Sequence, residues 1–340
     1  MNRTNTRRRF MTGAALAGSA ITTFGAFARR TSAQPTRATT ELIRVGVIGV
    51  GEYSHMPTIW GPTINPIPEV WPVRTTRMVM THVWDSRPEK AREFARKFNC
   101  TVVPNYYDMV DKVDGMIFGA MYEVKWWHLL TKPYLEAGMP CFINRPFSLS
   151  MRHAREITDT ARKHNAPILC TDEREYIKET HVARWKVEQL LKEGKTILGV
   201  FSDNSAGEYP AHGVHGLYFL LGALGLDVEE ASLQADGWWS DTQSGSSKMN
   251  WALLSLRYRG IKIEGAGEQT KPFVATQQQI GGQQANCGIR IYYTGGWWDI
   301  VNHWGKGEGL NRLYYFFAPT VFAMQRMFET RKMQWSYDYI

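Results

Sequence analysis

Cysteine is scarce and unpatterned. The four in this 340-residue chain, at 100, 141, 170 and 287, lack the paired spacing of a zinc site and are too few to staple so long a chain. Long apolar runs are missing too. The run of small residues from Gly13 to Ala28 is too short and too weakly apolar to span a membrane. Nor is there a basic stripe. The formal charge is +8, from 40 basic and 32 acidic residues, but six of the arginines (3, 7, 8, 9, 29, 30) fall within residues 1–33. Beyond them stand 34 basic against 32 acidic residues, a balance of +2, which argues against a nucleic-acid partner. About 300 residues without staples must stand on their own core, which that length supplies in two domains.

Residues 1–33 carry the layout of a secretory leader: a basic stretch, an apolar run of small residues, and a cleavage signal at "AFA" (ending Ala28) or "TSA" (ending Ala33). "TRRRFMT" (Thr6–Thr12) matches the twin-arginine pattern. The expectation is an exported protein, periplasmic or otherwise outside the cytoplasm, with no stable membrane insertion.

Residues 42–170 repeat one theme. "LIRVGVIG", "MVMTHVWD", "TVV", "GMIFGA", "PCFI" and "PILC" are short, nearly continuous apolar runs separated by stretches of helical spacing. Strands buried on both faces and alternating with helices predict an α/β domain with a parallel sheet. Ser86 reads as a helix start and Gly138 as a helix stop. The first strand ends in Gly49-Val50-Gly51-Glu52-Tyr53-Ser54, one glycine short of the dinucleotide fingerprint. Gly49 permits the tight turn, and Gly51 lets bare backbone approach a pyrophosphate at a helix N-terminus. Ser54 stands where a third glycine would ease helix–strand packing. Asp85, closing the second strand, is placed to accept from an adenosine ribose and repel a 2′-phosphate, so NAD is preferred over NADP. Its distance from Gly51 exceeds the usual spacing of about twenty residues. The excess lies in "WGPTINPIPEVWPVRTT", read as an inserted loop. Arg87, two residues on, keeps NADP open.

After Cys170 the character changes. A helix from about His181 to Gly194 leads into longer β-type segments: "TILGVFSDNSA", "EEASLQADGWW", "WALLSLRYRGIKIEGAGE" and "CGIRIYYTGGWWDIV". Their alternation predicts an α+β domain with an open, mainly antiparallel sheet. The division expected is a leader at 1–33, a nucleotide-binding domain at 42–170, a substrate and oligomerisation domain at 171–330 and a tail at 331–340.

This order of elements, with "LEAGMPCFINRPFSLS" and "APILCTDEREY", resembles the Gfo/Idh/MocA oxidoreductases, named after glucose-fructose oxidoreductase and inositol dehydrogenase. The resemblance implies NAD or NADP and a sugar, cyclitol or derivative as substrate. The family usually has Glu-Lys-Pro after this strand, with the lysine at the active site. Here the same positions read Asn144-Arg145-Pro146. Its second signature, Asp, three residues, then His on a helix, falls on "AHGVHGLYFLLGALG". His215 takes the histidine position, Ala211 the aspartate position, and His212 is an extra histidine.

Arginine stays charged and cannot act as a general base, so Arg145 can only hold and polarise. Proton removal then falls to His215, with His212 in reserve. By the same resemblance Asn144 and Arg145 lie at the cofactor, and Trp127, His128, Arg174 and Tyr176 line the substrate cleft, while Glu208 and Tyr209, just before the histidine helix, are placed to reach the same cleft. Thirteen tryptophans, including the doublets 126–127, 238–239 and 297–298, suit stacking on sugar rings and packing between subunits, although in a strand only one of each pair faces a given pocket. The functions these readings support are a nicotinamide-dependent sugar oxidoreductase, a redox-neutral enzyme cleaving a glycoside, or a non-catalytic binder retaining the fold. A homo-oligomer packed through the second sheet is the expected assembly.

Overall fold

Apolar runs buried on both faces pair only inside a covered sheet. Six strands form such a sheet here, with only the edge strand β3 exposed: β1 (Ile43–Ile48), β2 (Met78–Trp84), β3 (Thr101–Val102), β4 (Gly115–Phe118), β5 (Cys141–Ile143) and β6 (Ile168–Leu169). They lie in the order β3-β2-β1-β4-β5-β6, every neighbouring pair parallel. The structure is a computed structural model describing residues 41–51, 54–67, 74–206, 213–238, 248–280, 283–303 and 316–337. Strand order reverses between β1 and β4, which opens a crevice at the carboxyl edge of the sheet.

The crossovers are helical. α1 (Gly61–Ile64) follows a π turn (Met56–Trp60) and is buried throughout, so part of the expected inserted loop is packed helix. α2 (Pro88–Phe98) buries Ala91, Phe94 and Phe98 along one side. Its cap falls on Arg87 rather than Ser86. Pro88, lacking an N–H, takes the first helical position, and the Ser86 N–H donates instead to Glu123 Oε1 at 3.1 Å. α3 (Trp127–Leu130) and α4 (Lys132–Glu136) precede Gly138, whose φ of +68° ends the helix as expected. α5 (Met151–Lys163) links β5 to β6.

α6 (Lys178–Lys192) starts one turn before the expected His181. It leads to β7 (Ile197–Ala206), α7 (Val214–Leu224), β8 (Val228–Trp238), β9 (Lys248–Tyr258), the hairpin β10 (Ile261–Ile263) and β11 (Gly267–Gln269), then β12 (Phe273–Ile280), β13 (Gln283–Tyr293) and β14 (Gly296–His303). The second six-stranded sheet runs β14-β13-β7-β12-β9-β8 and is antiparallel except where β12 meets β7. Its inner face packs Val200, Leu256, Ile289 and Ile291 against Val187, Leu190, Phe219 and Leu220 of α6 and α7. The strand β12 escapes an apolar reading because three of its eight residues are glutamines.

α8 (Ala318–Thr330) does not stay with the second sheet, where a boundary at residue 330 puts it. Its Val321, Met324, Met327 and Phe328 join Val45, Met78 and Ile117 in the core of the first sheet. The Arg77 N–H donates to Gln325 Oε1 at 2.8 Å, and Gly115 leaves room for the Phe328 ring. The tail past 330 is anchored as well, since the Tyr337 hydroxyl donates to Ala166 O at 3.0 Å.

Candidate functional site

The glycine turn closes β1 as its sequence demands. Gly49 has φ +80°, and a Cβ there would fall within 2.9 Å of the Ala120 backbone nitrogen. Ser54 does more than fill space. Its hydroxyl donates to Gly49 O at 3.1 Å and accepts the Met56 N–H at 3.2 Å, tying the loop to the helical turn beyond it. Asp85 is buried and turned onto the loop. Oδ2 accepts the Val50 and Gly51 N–H groups at 2.7 and 3.0 Å, and Oδ1 accepts the Arg87 N–H at 2.9 Å. A ribose expected at this carboxylate therefore meets one already engaged by backbone. The Arg87 Nε lies 3.8 Å from Oδ1. Glu52 and Tyr53 fall outside the described residues.

A pocket of about 380 Å³ opens beside the loop, lined among others by Val50, Gly51, Ser54, Lys90, Glu93 and Lys97. Its size takes a nucleoside-sized group, and its lysines suit a phosphate-bearing one. Loop, turn and pocket fit a dinucleotide.

The opposite rim of the crevice is charged. Asn144 clamps the end of β5, its Nδ2 donating to Gly119 O at 2.8 Å and its Oδ1 accepting the Arg145 N–H at 2.9 Å. Arg145 then reaches Asp172, just past β6. Its Nε donates to Asp172 Oδ2 at 2.5 Å, and its Nη2 lies 3.9 Å from Glu173 Oε2. His215, on the first turn of α7, brings Nδ1 to 2.6 Å from the same Asp172 oxygen. The Arg174 N–H donates to Asp172 Oδ1 at 3.0 Å, its guanidinium lies 3.5 Å from that oxygen, and it stacks over the Phe316 ring at 5.0 Å. His55, just past the glycine loop, lies 3.1 Å from Glu173 Oε1. Arg145, Asp172, Glu173, Arg174 and His215 are each no more than 4 % exposed.

Two carboxylates thus face two guanidiniums. Burial opposes ionisation of Asp172, but His215, Arg174 and Arg145 outweigh it and hold the carboxyl well below the usual range. Burial, then the Arg174 and Arg145 charges, push the His215 imidazole well below its ordinary value despite Asp172. An ionised Asp172 can only accept, so Nδ1 carries the hydrogen and Nε2 keeps a lone pair. The arrangement offers a fixed cation and a neutral imidazole nitrogen able to take a proton.

Arg145, Arg174 and His215 are therefore brought together, and other candidates are not. Trp127 is fully buried in the core around β4 and β5 and cannot touch a substrate, because α3 turns it inward and leaves Trp126 outside. His128 stacks on His153 of α5, ring centroids 3.6 Å apart. Tyr176 turns from the cluster. Its hydroxyl donates to Gln334 Oε1 at 2.8 Å, and its ring lines a separate pocket with His181 and Trp185. His212, Glu208 and Tyr209 lie outside the described residues. Reading from sequence missed Asp172, Glu173 and His55. One signal was available for the first two: "TDEREY" stacks acids and an arginine at the carboxyl edge of β6, where a buried Arg145 needs a counterion.

Residues 43–171 match the family model described as oxidoreductase family, NAD-binding Rossmann fold (GFO_IDH_MocA). No curated protein matches the sequence. Among solved structures, myo-inositol 2-dehydrogenase from Lactobacillus plantarum is 14 % identical, with 88 % of this chain and 93 % of that chain covered and a TM-score of 0.64. Apo scyllo-inositol dehydrogenase from Lactobacillus casei is 12 % identical over 88 % of this chain and 91 % of that chain, with a TM-score of 0.64. GenD2 from gentamicin A biosynthesis, solved in complex with NAD, is 12 % identical over 88 % and 90 %, with a TM-score of 0.63. Residues 43–171 thus match the NAD-binding Rossmann fold of the Gfo/Idh/MocA oxidoreductases, and the two-sheet chain shares its fold with solved inositol dehydrogenases.

Proposed function

We propose that this protein is an NAD-dependent oxidoreductase acting on a carbinol carbon of a sugar, cyclitol or derivative. One observation carries the reading: Arg145 from the first sheet and His215 from α7 meet on one buried oxygen of Asp172. When bound, the nicotinamide supplies the hydride acceptor. The chain's own groups do the rest. His215 Nε2 takes the hydroxyl proton while Asp172 holds the ring through Nδ1, and Arg145 steadies the oxygen as charge develops on it. NAD is favoured over NADP because Asp85 puts a buried carboxylate beside the glycine loop.

His215→Ala is expected to lower turnover of a polyol substrate about a hundredfold or more, the usual scale for a general base. An unchanged rate would remove His215 from the chemistry. Protein purified without added cofactor, denatured and assayed for released nicotinamide dinucleotide tests the nucleotide. Protein that releases none and fails to bind added NAD would end the redox reading.

A binding protein without turnover is the second reading, favoured by the commitment of Arg145 to a buried ion pair in the place where the related enzymes carry a lysine. Export by the twin-arginine route, and assembly of copies through the outer face of the second sheet, complete the proposal.

A further inference from the structure

Glu123 is used by nothing described so far. It sits on the 3-10 turn (Met121–Trp126) after β4, and its side chain crosses the end of β1 toward β2. Oε1 accepts the Ser86 N–H at 3.1 Å, while Oε2 is buried with no hydrogen-bond partner among the described residues. That oxygen lies against Gly49, closer than a side chain there would tolerate. The carboxyl is 1 % exposed and stands at the point where the strand order reverses, on the floor of the crevice. Among the described residues, the charged groups facing it are Asp85 at the end of β2 and Arg87 at the start of α2. Asp85 is fastened to the Val50 and Gly51 N–H groups, so it cannot swing away to relieve a second negative charge.

We propose that Glu123 belongs to the dinucleotide site and couples binding to proton uptake, remaining a neutral acid while a pyrophosphate lies over residues 49–51. This rests on the nucleotide-binding reading of the crevice. The physical reason is crowding of like charge. A carboxylate at Glu123 would add a third anionic group to Asp85 and the pyrophosphate, with Arg87 the offsetting charge among the described residues. Protonation removes that repulsion and turns Glu123 into a hydrogen-bond donor toward the loop. Burial first, then Asp85, already push the free protein's Glu123 carboxyl up to about 7. A bound pyrophosphate raises it further. The sign follows: the bound state holds the proton more tightly, so affinity is level below about pH 7 and falls as pH rises beyond it.

NAD is the probe, because its pyrophosphate does not titrate between pH 6 and 9. Its Kd on the full-length protein is expected to rise up to about tenfold per pH unit above neutrality, the limit for one coupled proton. Glu123→Gln, nearly isosteric and permanently neutral, is expected to bind at every pH as the native protein binds at pH 6. Calorimetry of the native protein at pH 8, in buffers of different ionisation enthalpy, should show uptake of close to one proton per NAD. An equal pH slope in Glu123→Gln, or no proton uptake by the native protein, overturns the proposal. Absence of NAD binding by both proteins at every pH removes the nucleotide-binding reading itself, and this coupling with it.

Discussion

Asp172 serves an arginine and a histidine through one oxygen and a second arginine through the other. Removing its charge would leave Arg145 and Arg174 buried with too few counterions. Asp172→Asn is expected to cost about 3–5 kcal/mol, the range for breaking a buried ion pair from one side, read from the urea midpoint at pH 7. Acid acts on the same network. The Asp172 and His215 groups are both depressed in the fold, so the unfolded chain binds their protons more readily. Their contribution is present above the unfolded pKa, near 6.5 for the imidazole and 3.8 for the carboxyl, and is lost as pH falls. Glu123 has the opposite sign. Its raised carboxyl favours the fold in acid and loses that contribution as pH rises toward 7.

The helix that presents His215 depends on a close approach. Gly216, the next residue on α7, lies over β12, and a Cβ there would come within 2.7 Å of Gln277 Cγ, which is fully buried. Gly216→Val is expected to lift the first turn of α7, cost about 1–3 kcal/mol as overpacked sites do, and loosen the His215–Asp172 contact, visible as an altered imidazole nitrogen shift by NMR. This element also shows what sequence reveals. The first sheet was legible because its strands are unbroken apolar runs, and such runs have few other places to go. His215 was legible through a family position. Asp172 was not, because the partner expected four residues before the histidine is Ala211, and its replacement comes from the segment just past β6, 43 residues away. Alternation along one strand cannot report such a substitution across sheets. Nor could it place β12, whose buried face includes Gln277 and Gln279.

At the scale of the molecule, the outer face of the second sheet stands out. Trp251, Val274, Tyr292, Trp297 and Val301 point away from α6 and α7 and are each more than 40 % exposed. Arg290 lies over the Trp297 ring at 4.6 Å and pairs with Asp299 at 2.6 Å, giving that face a charged centre among apolar side chains. An apolar surface of this kind suits contact with another molecule, and the proposed assembly covers it with a second copy by twofold pairing. Light scattering on the eluting protein is expected to show a dimer or higher species, and Val274→Lys with Trp297→Glu to shift it toward monomer without altering the melting curve of the isolated fold. A native monomer would dismiss this assembly.

The return of α8 to the first sheet bears on the order of events during synthesis. Val45 of the first strand and Met324 of the last helix share one core, so the earliest strands to leave the ribosome wait for nearly the whole chain before their lower side is covered. Amino-terminal halves usually fold while translation continues. Here the opening half stays incomplete until the closing segment arrives, and a message cut short anywhere before that helix yields a sticky, unfinished sheet.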